Sequence, residues 1–181
     1  MANERRRKFL QQVAGGMMFA TLPACRNESA RMPLQGDQFP EITLPNLDGH
    51  TVTTATYSGA ALIVNFWATW CEPCRREMPS LQRLSTLYRH EDLWVIGVAV
   101  DEDLNLVREF LLRYNITFPQ FSDLHQTLSK TSLQITAFPM TYLVTRDRYI
   151  ARVVVGERDW TDANAIKDIE EVLNLKPRVK G

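Results

Sequence analysis

Ala61-Leu62-Ile63-Val64-Asn65-Phe66-Trp67 is an apolar run that leads, after Ala68-Thr69, into Trp70-Cys71-Glu72-Pro73-Cys74. The run has the length and apolar content of a buried strand. Beyond it Cys74, Met78, Leu81, Leu84 and Tyr88 recur at helical spacing and form one stripe. The two cysteines therefore stand where a strand turns into a helix, in or beside its first turn. There the unpaired N–H groups and the positive end of the helix dipole favour thiolate over thiol. Pro73 suits the same turn, where no N–H is needed. The spacing lets the second sulfur close a disulfide on the first, so the pair can cycle between dithiol and disulfide. A purely structural disulfide would more often bridge distant segments, because closing a tiny loop removes little unfolded-state entropy. A zinc site would need further ligands, and no second C-x-x-C or histidine pair supplies them.

The chain has 181 residues, 45% of them hydrophobic, which suits one ordinary domain behind an N-terminal export signal. Arg5-Arg6-Arg7-Lys8 precedes the apolar run Val13 to Leu22, which is shorter than the ~20 residues a membrane-spanning helix requires. Arg6-Arg7-Lys8-Phe9-Leu10 resembles a twin-arginine export pattern. Leu22-Pro23-Ala24-Cys25 resembles a bacterial lipobox, with Cys25 as the lipidated residue. This assignment also accounts for the odd third cysteine. Residues 1–24 are accordingly expected to be a signal, 25–37 a tether, and 38–181 the domain. Without residues 1–24 the chain keeps 17 Lys+Arg and 20 Asp+Glu, a formal charge of −3. That balance offers nothing to nucleic acid.

Turn residues between Ile42-Thr43-Leu44 and Thr51-Val52-Thr53 predict a small hairpin. A helix over about 73–89 should follow the first long strand, with Pro79 kinking it. Leu93 to Val100 predicts a second buried strand. Asp101 or Asp103 can cap the next helix, whose core stripe would be Leu104, Val107, Phe110 and Tyr114. An edge strand around Phe118 to Phe121, a brief helix at 123–131, strands Thr141–Val144 and Tyr149–Val155, and a last helix over about 161–174 complete the pattern. The last helix would bury Ile166, Ile169 and Leu173. Alternating strands and helices predict an α/β domain of three layers, α/β/α, with a mixed central sheet.

Together WCEPC, the strand Leu62–Trp67, the extra strand–helix segment Leu93–Tyr114, Ala137-Phe138-Pro139-Met140-Thr141-Tyr142-Leu143 and Gly156-Glu157-Arg158-Asp159-Trp160 resemble the TlpA/ResA-like class of thioredoxin-fold proteins. The resemblance runs from about residue 38 to the end. It implies an N-terminal hairpin extension and an inserted strand–helix segment on a thioredoxin-like core. It also implies an extracytoplasmic, membrane-tethered thiol-disulfide oxidoreductase, typically reductive. Such proteins pass electrons to oxidised cysteine pairs in cytochrome c maturation or copper-site assembly, and are themselves fed by an integral-membrane thiol donor. No cofactor is expected, since the sulfurs carry the electrons.

Cys71 is the expected nucleophile, being at the helix terminus, and Cys74 the resolving thiol. Phe138-Pro139 matches the family's cis-proline, beside which an extended substrate strand would lie, with Trp70 a further contact surface. Glu77 lies one turn beyond Cys74, and helical side chains lean back toward the N-terminus, so its carboxyl can approach the thiols. ResA-like proteins carry a functional glutamate there. The plainer reading is a solvated carboxylate between Arg75 and Arg76. Asn65 stands where general thioredoxins carry a titratable aspartate, which closes that proton route and leaves Glu77 or water to take it over. Glu72 either tunes the thiolate or is an inert surface residue. Trp67 and Trp160 are expected in the core. Two rival functions compete with this reading. A peroxiredoxin needs a threonine where this chain has Ala68. A copper-binding module would enlist His50, His90 or His125, which form no ligand pattern.

Overall fold

The computed structural model describes residues 31–177 apart from Arg89 and Glu91. The expected export signal, the expected lipidation site at Cys25 and the start of the expected tether lie outside those residues. The elements are β1 (Thr43–Pro45), β2 (Thr51–Thr53), β3 (Ala61–Trp67), α1 (Glu72–Leu87), β4 (Leu93–Ala99), α2 (Leu104–Arg113), β5 (Gln120–Ser122), β6 (Met140–Val144), β7 (Ile150–Val155) and α3 (Ala163–Val172). The hairpin β1–β2 is antiparallel. The main sheet has the order β5-β4-β3-β6-β7. Its β4 runs parallel to β3 and β5, and its β6 antiparallel to β3 and β7. This is the expected mixed sheet of a thioredoxin-like fold.

Strand β3 lies at the centre and is buried throughout. Its side chains alternate between two cores, as the strand period of two requires. Ala61, Ile63 and Trp67 join Cys74, Met78, Leu81 and Leu84 of α1, Val107 and Phe110 of α2, and Ile169 of α3. Leu62, Val64 and Phe66 join Phe39, Ile42, Phe121, Leu133, Ile135 and Tyr142. The outer layers are thus unequal. Three α-helices cover one face. The hairpin, a 3-10 turn at Thr54–Tyr57 and a π-helical turn at Thr127–Ser132 belong to the other.

Four details depart from the sequence pattern. The brief helix expected at 123–131 is the π-helical turn, because Asp123 accepts the N–H groups of Leu128 at 3.1 Å and Ser129 at 2.7 Å. Gln126 adds a left-handed φ of 52°, which interrupts any earlier start. Tyr114 is 47% exposed rather than in the core stripe; it falls after the end of α2 and lays its ring beside Phe110 at 4.6 Å. Ile166 is only half-buried, leaving Ala165, Ile169 and Leu173 as the buried residues along α3. Gly36 and Asp37, placed in the tether by composition, already form backbone bonds with Ile150 at 2.9 Å each.

One close approach shapes the sheet beside the site. The Gln120 side chain lies over Gly97 and accepts the Trp67 indole N–H at 3.0 Å. A Cβ on Gly97 would crowd Gln120 Oε1, so a larger residue here would displace that side chain from the Trp67 N–H.

Candidate active site

Cys71 is the N-cap of α1, and its Sγ accepts the Cys74 N–H at 3.3 Å. The two cysteines form a disulfide across Cα atoms 5.3 Å apart. Cys71 keeps 7% of its surface exposed, whereas Cys74 has none. The difference follows from position: the cap residue stands at the mouth of the helix, while Cys74 heads the apolar stripe. The loop before them is held by Asp101, which is buried and accepts the Thr69 N–H at 3.0 Å and the Thr69 hydroxyl. Burial pushes the Asp101 carboxyl above its ordinary range. Asp103, not Asp101, caps α2 through the Asn105 N–H at 2.8 Å.

Trp70 is 63% exposed and meets Phe138 edge-to-face, with ring centroids 5.9 Å apart. The Phe138–Pro139 peptide bond is cis. The Pro139 carbonyl accepts the Gly156 N–H at 2.9 Å, joining the start of β6 to the loop after β7. Gly156 has a φ of +90°, a left-handed conformation open to glycine. The segments 70–74, 138–139 and 156–160 are thereby gathered at one end of the sheet.

Glu77 is 1% exposed, so the plain reading of a solvated carboxylate fails. Its Oε1 accepts Asn65 Nδ2 at 2.7 Å. Its Oε2 accepts Trp160 Nε1 at 3.0 Å and the Arg158 backbone N–H at 3.3 Å. Burial pushes the carboxyl up to about 7, and these donors hold it from rising further. The arginine beside it on the helix turns elsewhere. Arg76 bonds Glu157 through Nε at 2.8 Å and Glu72 through Nη1 at 2.8 Å, on the surface. That pairing pulls the Glu157 carboxyl below its ordinary range.

Sequence reasoning placed Trp160 in the core, where it is, but missed that its indole N–H serves Glu77. It likewise treated Asn65 as a closed route rather than as the carboxyl's partner. A signal was available, since a buried Trp N–H and a buried carboxyl each need a partner. Of the three histidines, His90 stacks on Trp94 at 3.8 Å.

A five-stranded mixed sheet, a Cys-x-x-Cys disulfide at the head of a helix and a cis-proline just before β6 define a thioredoxin-fold redox protein. Residues 35–153 match the AhpC/TSA family, and the chain belongs to it. It is similar to the thiol-disulfide oxidoreductase ResA of Geobacillus kaustophilus, 31% identical over 121 residues, which cover 67% of this chain and 69% of that one. ResA of Bacillus cereus is 25% identical over 146 residues, 81% of this chain and 83% of that one. A thiol:disulfide interchange protein of Chlorobium tepidum superposes with a TM-score of 0.63 at 26% identity, covering 77% of this chain and 97% of its own. The thioredoxin domain of a Bacteroides vulgatus thiol-disulfide oxidoreductase superposes at 0.65 and 22% identity, covering 77% and 98%. The chemistry of this chain is that of a thiol-disulfide oxidoreductase of the ResA type.

Proposed function

We propose that this chain works outside the cytoplasm as a disulfide reductase, with Cys71 as the attacking sulfur. The observation that carries the assignment is the difference between a partly exposed Cys71 at the helix mouth and a fully buried Cys74. The Cys71 thiolate attacks one sulfur of an oxidised cysteine pair in a partner, forming a mixed disulfide and releasing the other partner sulfur as thiolate. Cys74, as thiolate, then attacks Cys71 Sγ; the intramolecular disulfide forms and the second partner thiolate leaves. Two electrons pass to the partner, and an integral-membrane thiol donor restores the dithiol. Glu77, whose carboxyl titrates near neutral pH, accepts and returns the proton of a thiol.

Trp70 and Phe138 offer an apolar rim for an extended partner segment, which would lie along the chain at Phe138-Pro139. The partner class is an exported protein with a reducible cysteine pair, such as an apocytochrome c or a copper-site assembly protein. The twin-arginine-like start and the lipobox-like Cys25 support export and anchoring to the outer face of a bacterial membrane. No helix among the described residues is long and apolar enough to cross a membrane.

Expression of Cys74→Ser should trap a mixed disulfide that dithiothreitol releases, while Cys71→Ser traps none and loses turnover. Trapping by Cys71→Ser instead reverses the assignment. Rapid alkylation in cells should find the wild-type pair mostly as dithiol. A mostly oxidised pair would make the chain an oxidant.

A further inference from the structure

The two oxygens of Glu77 have different company. Oε2 receives the Trp160 indole N–H at 3.0 Å and the Arg158 backbone N–H at 3.3 Å. Neither donor can reverse its role, since both nitrogens lack a free lone pair for hydrogen bonding. Oε1 receives Asn65 Nδ2 at 2.7 Å. The same Nδ2 lies 2.9 Å from Thr141 Oγ1, so both amide hydrogens are engaged. Asn65 is fully buried, and its Oδ1 has no hydrogen-bond partner among the described residues. In this orientation the amide serves an ionised carboxylate and leaves its own acceptor unserved.

We propose that Asn65 is a positioning residue whose amide turns over when Glu77 takes up a proton, and that Oε1 is the oxygen that carries it. A proton on Oε2 would point into two fixed N–H groups. Oε1 has two lone pairs and accepts one bond, so it can take the proton; a proton on the side facing Asn65 meets its N–H head-on unless the amide rotates. Rotation about the last side-chain bond, which is roughly two-fold, brings Oδ1 toward the Glu77 O–H. Thr141 can follow, because its hydroxyl is both donor and acceptor. Either orientation leaves one end of the amide without a partner, so the proton on Oε1 decides between them. An asparagine thereby answers to the proton although it cannot hold one.

Other groups around the carboxyl do not decide the matter. On α1, Ser80 donates to the Glu77 carbonyl at 2.7 Å rather than to its carboxyl, and the Cys71–Cys74 disulfide lies one turn earlier. In the loop after β7, Glu157 repels the charged form from the surface. The Arg158 guanidinium is engaged by Asp168 at 3.0 Å and stacks over Trp160 at 5.3 Å. Within the proposed reductase cycle, this turn would let Glu77 release or regain its thiol-derived proton without a cation beside it. The inference rests on that reading only for its purpose, not for its geometry.

The test uses the full chain, oxidised and labelled with 15N and 13C. The Asn65 side-chain amide resonance, identified by its loss in Asn65→Ser, should move with pH in step with the Glu77 carboxyl carbon. In Glu77→Gln it should hold one position at every pH. Asn65→Ser should raise the Glu77 midpoint, because the hydrogen bond lost from the charged form is stronger than the one lost from the neutral form. Trp160→Phe should raise the midpoint too, yet leave the amide response in place. An Asn65 resonance that stays still through the Glu77 titration overturns the proposal. The wild-type titration decides even where Asn65→Ser fails to fold. A pH profile of thiol exchange unaltered by Glu77→Gln would remove the glutamate from the thiol chemistry. A moving amide would then still support the turn.

Discussion

Glu72 and Glu77 stand five positions apart on the same helix, and their surroundings share almost nothing. Glu72 has 71% of its side chain exposed and pairs with Arg76. Glu77 is sealed among Asn65, Trp160 and the Arg158 N–H, with only neutral donors on its carboxyl. Charge on the first is screened by water and salt, so it constrains little. On the second it is expensive, and the proton comes and goes near neutral pH. Proximity to the cysteines along the helix does not set a carboxyl's surroundings; what packs over it does.

The contrast is broken most severely by Trp160→Ala. It removes a fully buried side chain and one donor to the carboxyl, and should cost about 3–5 kcal/mol in urea unfolding. A loss below about 1 kcal/mol would mean the pocket collapses around Glu77, and that its dryness does not depend on the indole.

Glu77→Gln is next. In the folded chain the carboxyl titrates at about 7 against an ordinary 4.5, so between those values the folded state holds the proton that the unfolded state has released. Stability from this group is therefore full below pH 4.5, declines as pH rises toward 7, and is flat above. The variant lacks that decline. It should match the wild type near pH 4 and exceed it by about 3 kcal/mol at pH 8, read from paired urea curves. A gap independent of pH would show that Glu77 ionises as easily inside as outside.

The smallest change is expected of Arg76→Ala, which releases both Glu72 and Glu157 at the surface. Its effect on melting temperature should be slight and should vanish in about 1 M salt, where charges are screened within about 3 Å. A large effect that survives salt would make the surface cluster part of the site.

Much of this contrast was hidden from a linear reading. The strand 61–67, the cysteines at the helix mouth and the stripe Cys74, Met78, Leu81, Leu84 were legible because each is a local pattern. Tyr114 was misplaced because periodicity does not announce where a helix stops, and α2 ends one residue before it. The π-helical turn escaped because a side chain, Asp123, captures the N–H groups that a regular helix would use. Pro139 was legible through resemblance, not through its dipeptide.

Glu77 was singled out from its place in the motif, but whether water reaches it depended on contacts from far along the chain. Asn65 is 12 residues away and Trp160 is 83. Local order in the chain determined where two sulfurs meet a helix end, since a strand, a turn and a helix dipole act over a few residues. Only the tertiary packing decided which of two neighbouring glutamates loses its water, because desolvation is set by whatever closes over a side chain, and here that is β3 and the loop beyond β7.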